Sequence, residues 1–183
     1  MTKVDLMSDP TERRTLQTLE ELIRQPAAMT VIESIAARVE RQLERDQAAS
    51  LAWEPVPLEA YAGKLPPGIR SSWVFILRAS TTTGAERHPN SHQRVMSYRG
   101  SGDLQVMVDH VWQSNPLISE WFEPIERRWL SIPPFVWHQA VMPESNWVVV
   151  SFHTVPSHEL IEERPEPGNE AVTRQRTYIK AVR

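Results

Sequence analysis

Hydrophobic positions along this chain repeat with two different periods, and the change from one to the other falls near residue 50. Up to that point the period is helical. In "SDPTERRTLQTLEELIRQ", Asp9 is placed to cap a helix that carries Pro10 in its first turn. Leu16, Leu19, Leu22 and Ile23 follow at helical spacing, and Gln25-Pro26 ends the segment. A second helix is predicted from Pro26, with Ile32, Ile35, Ala36, Val39 and Leu43 on one stripe and Glu, Arg and Gln opposite. Each apolar stripe needs a surface to cover, either a sheet face or a partner subunit.

Residues 51–69, "LAWEPVPLEAYAGKLPPGI", read as a proline-broken connector. Beyond them the texture is that of strands. Short runs rich in Val, Ile, Trp, Phe and Tyr are separated by turn residues: "SSWVFILRAST", "QRVMSYRG", "GDLQVMVDHVW", "RRWLSIPP", "VWHQAVMP" and "NWVVVSFHTV". Strands at this spacing without intervening helices predict an antiparallel sandwich or barrel over residues 70–158. The stretch "QSNPLISEWFEPIE" is expected to be a loop or short helix between strands. The tail, residues 159–183, starts charged and proline-rich, regains pattern near Tyr178 and Ile179, and is expected to pack back on the body. The expected organisation is therefore a helical segment (1–50), a connector (51–69), a mainly β body (70–158) and a tail.

Composition sharpens this picture. A chain of 183 residues suffices for one well-buried core. Seven tryptophans suit pleated, half-buried surfaces, and fifteen prolines against six glycines punctuate many short elements. A net charge of −3 and a pI near 6.1 argue against nucleic acid as the main partner. The longest apolar runs, "WVFIL" and "WVVVSF", fall far short of the roughly 20 residues needed to cross a bilayer. The start "MTKVDLMSDPTERR" lacks an apolar signal core, so a cytoplasmic protein is expected. The absence of cysteine excludes disulfides and thiolate ligands, leaving any metal to His, carboxylate, amide or water.

The candidate chemistry sits in "TTTGAERHPNSHQRVMSYRGSGDLQV" and "LSIPPFVWHQAV". Residues two apart on a strand share a face, so Glu86 and His88 can point into one cavity. The turn at "PNS" reverses the chain. His92 and Gln93 then alternate, and a regular strand can aim only one of them at that cavity: His92 is the better donor, Gln93 a neutral amide. His138, on a distant strand, can close the site from the opposite wall. Imidazole and carboxylate ligands of this kind suit Fe(II), Mn(II), Ni(II), Zn(II) or Cu(II). His110, His153 and His158 are expected to be structural or surface residues, with His153 placed late in a strand where it could line the pocket. Arg78, Arg94 and Tyr98 fall within strand-like runs, where an inward arginine needs an anion to meet it.

These two segments resemble the paired motifs of the cupin superfamily of small β-barrel metalloproteins. Registered on Gly100 and "RGSGD", Gln93 falls where cupins carry their glutamate ligand, His88 on the second histidine of the His-x-His pair, and Glu86 on the first. In "IPPFVWH", Pro133 and His138 match the second motif. The departures are Glu for one histidine, Gln for the glutamate, Phe135 for the turn glycine, and Met142 where Asn is common. The resemblance covers about residues 70–155 and implies a cupin-like antiparallel β-barrel or jelly roll behind an N-terminal helical segment. It implies a divalent metal, Fe(II) favoured over Zn(II), Ni(II) or Mn(II), held among Glu86, His88, His138 and either Gln93 or His92. Glu86 and Tyr98 are the catalytic candidates. The implied activity is that of a non-haem iron dioxygenase on a small organic acid or aromatic substrate. A metal-assisted isomerase or lyase and a non-catalytic small-ligand binder are the alternatives, and a homodimer is expected by resemblance.

Overall fold

The computed structural model describes residues 9–142, 144–167 and 169–177. Two helices open the fold, α1 (Pro10–Ile23) and α2 (Pro26–Arg45). The Asp9 carboxylate accepts from the Thr11 amide at 2.9 Å, satisfying one of the donors that a helix start leaves unpaired. The stripes Leu16, Leu19, Leu22, Ile23 and Ile32, Ile35, Ala36, Val39, Leu43 are buried. At the far end of α2, Arg78 donates to the carbonyls of Leu43 (2.6 Å), Asp46 (2.8 Å) and Ala49 (2.7 Å). It is thus neither a pocket residue nor a free surface charge: it caps a helix C-terminus.

Two antiparallel sheets follow. The larger has the order β1-β2-β9-β3-β7, built from β1 (Leu51–Pro55), β2 (Ser71–Leu77), β9 (Trp147–His153), β3 (Gln93–Arg99) and β7 (Trp129–Ile132). In the smaller, β4 (Ser101–Val108) pairs on one side with β5 (Val111–Gln113) and β6 (Pro116–Ile118), and on the other with β8 (His138–Val141). A hairpin of β10 (Ile161–Glu166) and β11 (Asn169–Thr177) completes the described strands. The architecture is mainly β, with two distinct sheets rather than a closed barrel at the described pairings, because β1 and β7 end the larger sheet.

Within the expected connector, Leu51–Pro55 is a fifth sheet strand paired with β2 from Leu51↔Leu77 to Pro55↔Trp73. Proline is tolerated there because the strand is at the edge. The segment expected as a loop contains β6 and a short 3-10 helix, Ile125–Arg127. The pattern read at Tyr178 and Ile179 lies outside the described residues.

Parity along the strands explains why β2 and β9 are apolar without alternation. Val74, Ile76, Val148, Val150 and Phe152 face α1 and α2, whereas Trp73, Phe75, Leu77, Trp147 and Val149 face the smaller sheet. A strand covered on both faces reads as a continuous hydrophobic run. The Gly-Ser-Gly run is also explained by packing. Gly100 turns the chain at φ +86°, and a Cβ on Gly102 would collide with the Trp147 ring. Trp147 is held there by its Nε1–H donating to Ser97 Oγ at 2.8 Å.

Candidate metal centre

Between the sheets, at one end of the inner core, three potential ligands converge. One ligand atom each from Glu86, His88 and His138 lies within 4.8 Å of the others. Glu86 and His88 share a side because the segment is extended there: Glu86 bridges His138, and the intervening Arg87 points away and bridges Glu163. Its guanidinium lies 4.5 Å from the Trp137 ring centroid and pairs with the Glu163 carboxylate at 2.6 Å. His138 opens β8 opposite Val106 of β4, on that strand's inward face.

Both imidazoles are oriented by backbone carbonyls. The Nδ1 of His88 lies 2.9 Å from Ile161 O, and the Nδ1 of His138 lies 3.1 Å from Val136 O. A carbonyl only accepts, so each Nδ1 carries a proton and Nε2 is the nitrogen that each ring turns toward the cluster. His138 Nε2 is buried without a hydrogen-bond partner, and Glu86 Oε1 stands 3.5 Å from it. The other Glu86 oxygen, Oε2, accepts from Arg164. Arg164 also donates to Glu162 Oε1 at 2.6 Å and to the Thr83 carbonyl at 2.6 Å.

Burial by itself would raise the Glu86 carboxyl, but His138, Arg164 and His88 outweigh it and bring the group down to about 2. Burial, reinforced by the neighbouring His138, lowers His88 from its ordinary value. A buried, partnerless imidazole nitrogen beside a charged carboxylate is costly unless something electropositive sits between them. The donor set of two imidazoles and one carboxylate thus fits a divalent metal ion, and hard and borderline first-row ions all suit it.

The remaining candidates fall on both sides of the larger sheet. Gln93 faces the inner side and lines the same cavity as Glu86 and His138, with its Oε1 buried and partnerless. His92, one residue earlier, faces the helices: its Nε2 lies 2.6 Å from Ser131 Oγ and 3.9 Å from Glu12. Burial, and then Arg94, lower it to about 4. Period-two alternation, which could aim only one of the pair inward, aims Gln93. Tyr98 is also on the helix side, donating to Glu33 at 2.9 Å, away from the cluster.

His153, across from Gln93 on β9, is fully buried with its ring centroid 5.1 Å from that of His88. Burial and the nearby His88 hold it well below its usual range, and Ser91 Oγ meets its Nδ1 at 3.2 Å. His110 lies with Asp109 in the β4–β5 turn, both at positive φ. His158 is exposed beside Glu159. Arg94 is half-buried against α1, making a bidentate pair with Glu12 at 2.7 and 2.7 Å.

Sequence reasoning missed Arg164 and the carbonyl of Ile161, which support two of the three clustered residues. Both come from the charged tail. A signal was present: Glu162, Arg164 and Glu166 alternate with period two, the spacing of one strand face.

No protein-family model matches the chain, and no curated protein matches it. Among solved structures it is similar to pumpkin seed globulin (14% identity, TM-score 0.48, covering 64% of this chain and 28% of that one). It is similar also to Lactobacillus farciminis oxalate decarboxylase in a formate complex (9%, TM-score 0.45, 58% and 29%) and to oxalate oxidase in complex with the substrate analogue glycolate (12%, TM-score 0.46, 60% and 54%). The chain spans between 28% and 54% of the length of these three structures.

Proposed function

We propose that the protein is a metal-dependent enzyme of the cupin type that oxidises a small organic substrate, a non-haem iron dioxygenase by the character of its ligand set. The observation that carries this reading is the convergence of Glu86, His88 and His138, with both Nδ1 atoms tied to carbonyls and His138 Nε2 buried without a partner. These three residues would hold the metal. Two imidazoles and one carboxylate leave coordination positions open, and a bound Fe(II) would supply a redox centre and a Lewis acid there.

The chain's own residues do the rest. Ile161 and Val136 carbonyls fix the two imidazole tautomers. Arg164 hydrogen-bonds the Glu86 carboxylate, which His138 first and then Arg164 and His88 hold well below its ordinary range. The inter-sheet walls, among them Phe75, Val95, Leu104 and Val149, exclude water from the space into which Gln93 points.

Elemental analysis of the purified protein, prepared anaerobically with iron, tests the reading. About one metal per chain is expected, with the metal lost in both His88→Ala and His138→Ala. A wild-type protein without bound metal under those conditions would sink the proposal. Oxygen uptake with small organic acids and phenols then separates a dioxygenase from a metal-assisted isomerase or lyase, which would turn over without it.

A further inference from the structure

Two exposed features sit side by side at the junction of α1 and α2. The first is a pair of aromatic side chains. The Glu123 amide donates to the Glu120 carbonyl at 3.0 Å, closing a turn with Trp121 and Phe122 at its two central positions. They are 69% and 71% exposed, with ring centroids 6.2 Å apart in an edge-to-face arrangement. The Arg24 guanidinium lies 5.8 Å from the Trp121 ring centroid, yet most of the indole still meets water. Single apolar side chains on a surface need no explanation, but two consecutive large aromatics at a turn tip mark a contact site.

The second feature is a groove of about 350 Å³, lined by Leu22, Pro26, Ala27, Ala60, Ala62 and Lys64 among others. Its three alanines leave open a space that longer side chains would fill. The solvent side of α2 also changes character here. Residues 25–32 contain no charged side chain, although Gln25, Pro26, Ala27, Met29 and Thr30 are exposed. Further along α2 the exposed positions include Glu33, Arg38, Arg41, Glu44 and Arg45. Depletion of charge beside exposed aromatics is the composition of an interface core rather than of a solvated surface. Charges of opposite sign stand at the rim: Glu120 flanks the aromatic pair, Lys64 flanks the groove, and both are exposed.

Arg24 touches Trp121, and its chain neighbour Gln25 lines the groove, so protrusion and groove are neighbours on one face. A two-fold axis lying in that face between them carries each aromatic pair onto the other copy's groove, because a two-fold contact matches a surface to itself. The same operation brings Glu120 toward the partner's Lys64 twice over. We propose that this face is the interface of a two-fold homodimer, in which Trp121 and Phe122 of each protomer seat in the groove of its partner. At their exposures, two aromatic pairs and the two grooves they enter account for roughly 800–1,400 Å² of buried surface. A specific interface needs about 1,000 Å².

Sedimentation equilibrium on the full chain tests the arrangement. Wild type should show monomer and dimer with no larger species, since a two-fold contact closes on itself. Trp121→Ala should weaken each of the two symmetric contacts about thirtyfold, and so raise the dimer dissociation constant about a thousandfold. The side chain is exposed in the protomer, so the variant keeps its fold. Ala27→Glu puts a charge into the groove at a helix start that tolerates an acid, and should also give monomer. Glu120→Lys should weaken the dimer about three- to tenfold, and adding Lys64→Glu should restore it. Wild type that stays monomeric at about 1 mM overturns the proposal. So does a dimer that survives Trp121→Ala and Ala27→Glu, or a charge reversal that brings no recovery.

Discussion

Arg164 shows how much a single side chain outside the ligand set does for this site. It binds one oxygen of Glu86 and leaves the other facing His138, so the carboxylate has one orientation, and His138 first, with Arg164 and His88, holds it low despite burial. Removing such a supporting partner typically costs ~10–100-fold in metal affinity. Arg164→Met should weaken metal binding by about that factor in a competition titration, with Arg164→Lys recovering part of it. Phe135 is a different case. It occupies the turn where cupin motifs carry glycine and holds φ at +66°, a conformation that costs a non-glycine residue about 1–2 kcal/mol. Phe135→Gly relieves that strain but gives up the 5.9 Å contact of the ring with Arg87. Urea unfolding should show it unchanged or up to about 1 kcal/mol more stable. Gly102→Ala should do the opposite. Its methyl group would have to displace the buried Trp147 ring, costing about 1–3 kcal/mol in the same assay.

At the scale of elements, α1 is fastened to the larger sheet by more than its leucines. Glu12 and Glu20, spaced with Leu16 along one stripe, are buried against the sheet. Glu12 takes both guanidinium bonds of Arg94 and one from Ser131 Oγ at 2.5 Å. Glu20 meets Arg128 and the Trp129 indole. Burial by itself would raise the Glu12 carboxyl, yet its Arg94 and Ser131 hydrogen bonds bring it below its ordinary 4.5. A carboxylate with a depressed folded-state pKa contributes stability above its unfolded value and loses it as pH falls through the folded one. Glu12→Gln leaves the half-buried Arg94 without its counter-charge and should cost about 1–3 kcal/mol near neutral pH. The gap between wild type and variant should close as pH drops below 4.5, because the wild-type carboxylate then protonates too. Thermal unfolding followed from pH 7 to pH 3 checks both statements.

At the scale of the whole molecule, the cluster joins parts of the chain far apart in sequence. Glu86 and His88 precede β3, His138 opens β8, and the β10–β11 hairpin supplies Arg164 and the Ile161 carbonyl. A two-stranded hairpin is marginal on its own. This one is held by Arg87–Glu163, by Arg164–Glu86 and by Asn90, whose side chain bonds Glu159 O and the Ile161 amide. A metal on Glu86 and His88 therefore tightens the hairpin as well as the sheets. Chelation should lower overall stability by about 2.7 kcal/mol relative to protein at 100 times the metal dissociation constant. Amide exchange should quicken most around residues 159–164.

The sequence by itself determined the elements and the parity of the site. The helical stripes, the strand runs and the Glu86-x-His88 pairing follow from local periods of 3.6 and 2, which neighbouring residues impose on each other. It also marked His138 as the distant member. Which way the larger sheet faces was not local information. His92 and Gln93 differ by one position, and only the docking of α1 and α2 on one face and the smaller sheet on the other made Gln93 a cavity residue and His92 a partner of Ser131. Tyr98 was turned from the site by the same parity, and Arg94 was half-buried rather than exposed because a helix covers the face it occupies. Leu51–Pro55 became a strand because β2 offered an edge, and Arg164 reached Glu86 because the tail folded back. Each of these depends on contacts between residues distant in the chain, whose geometry no local period encodes.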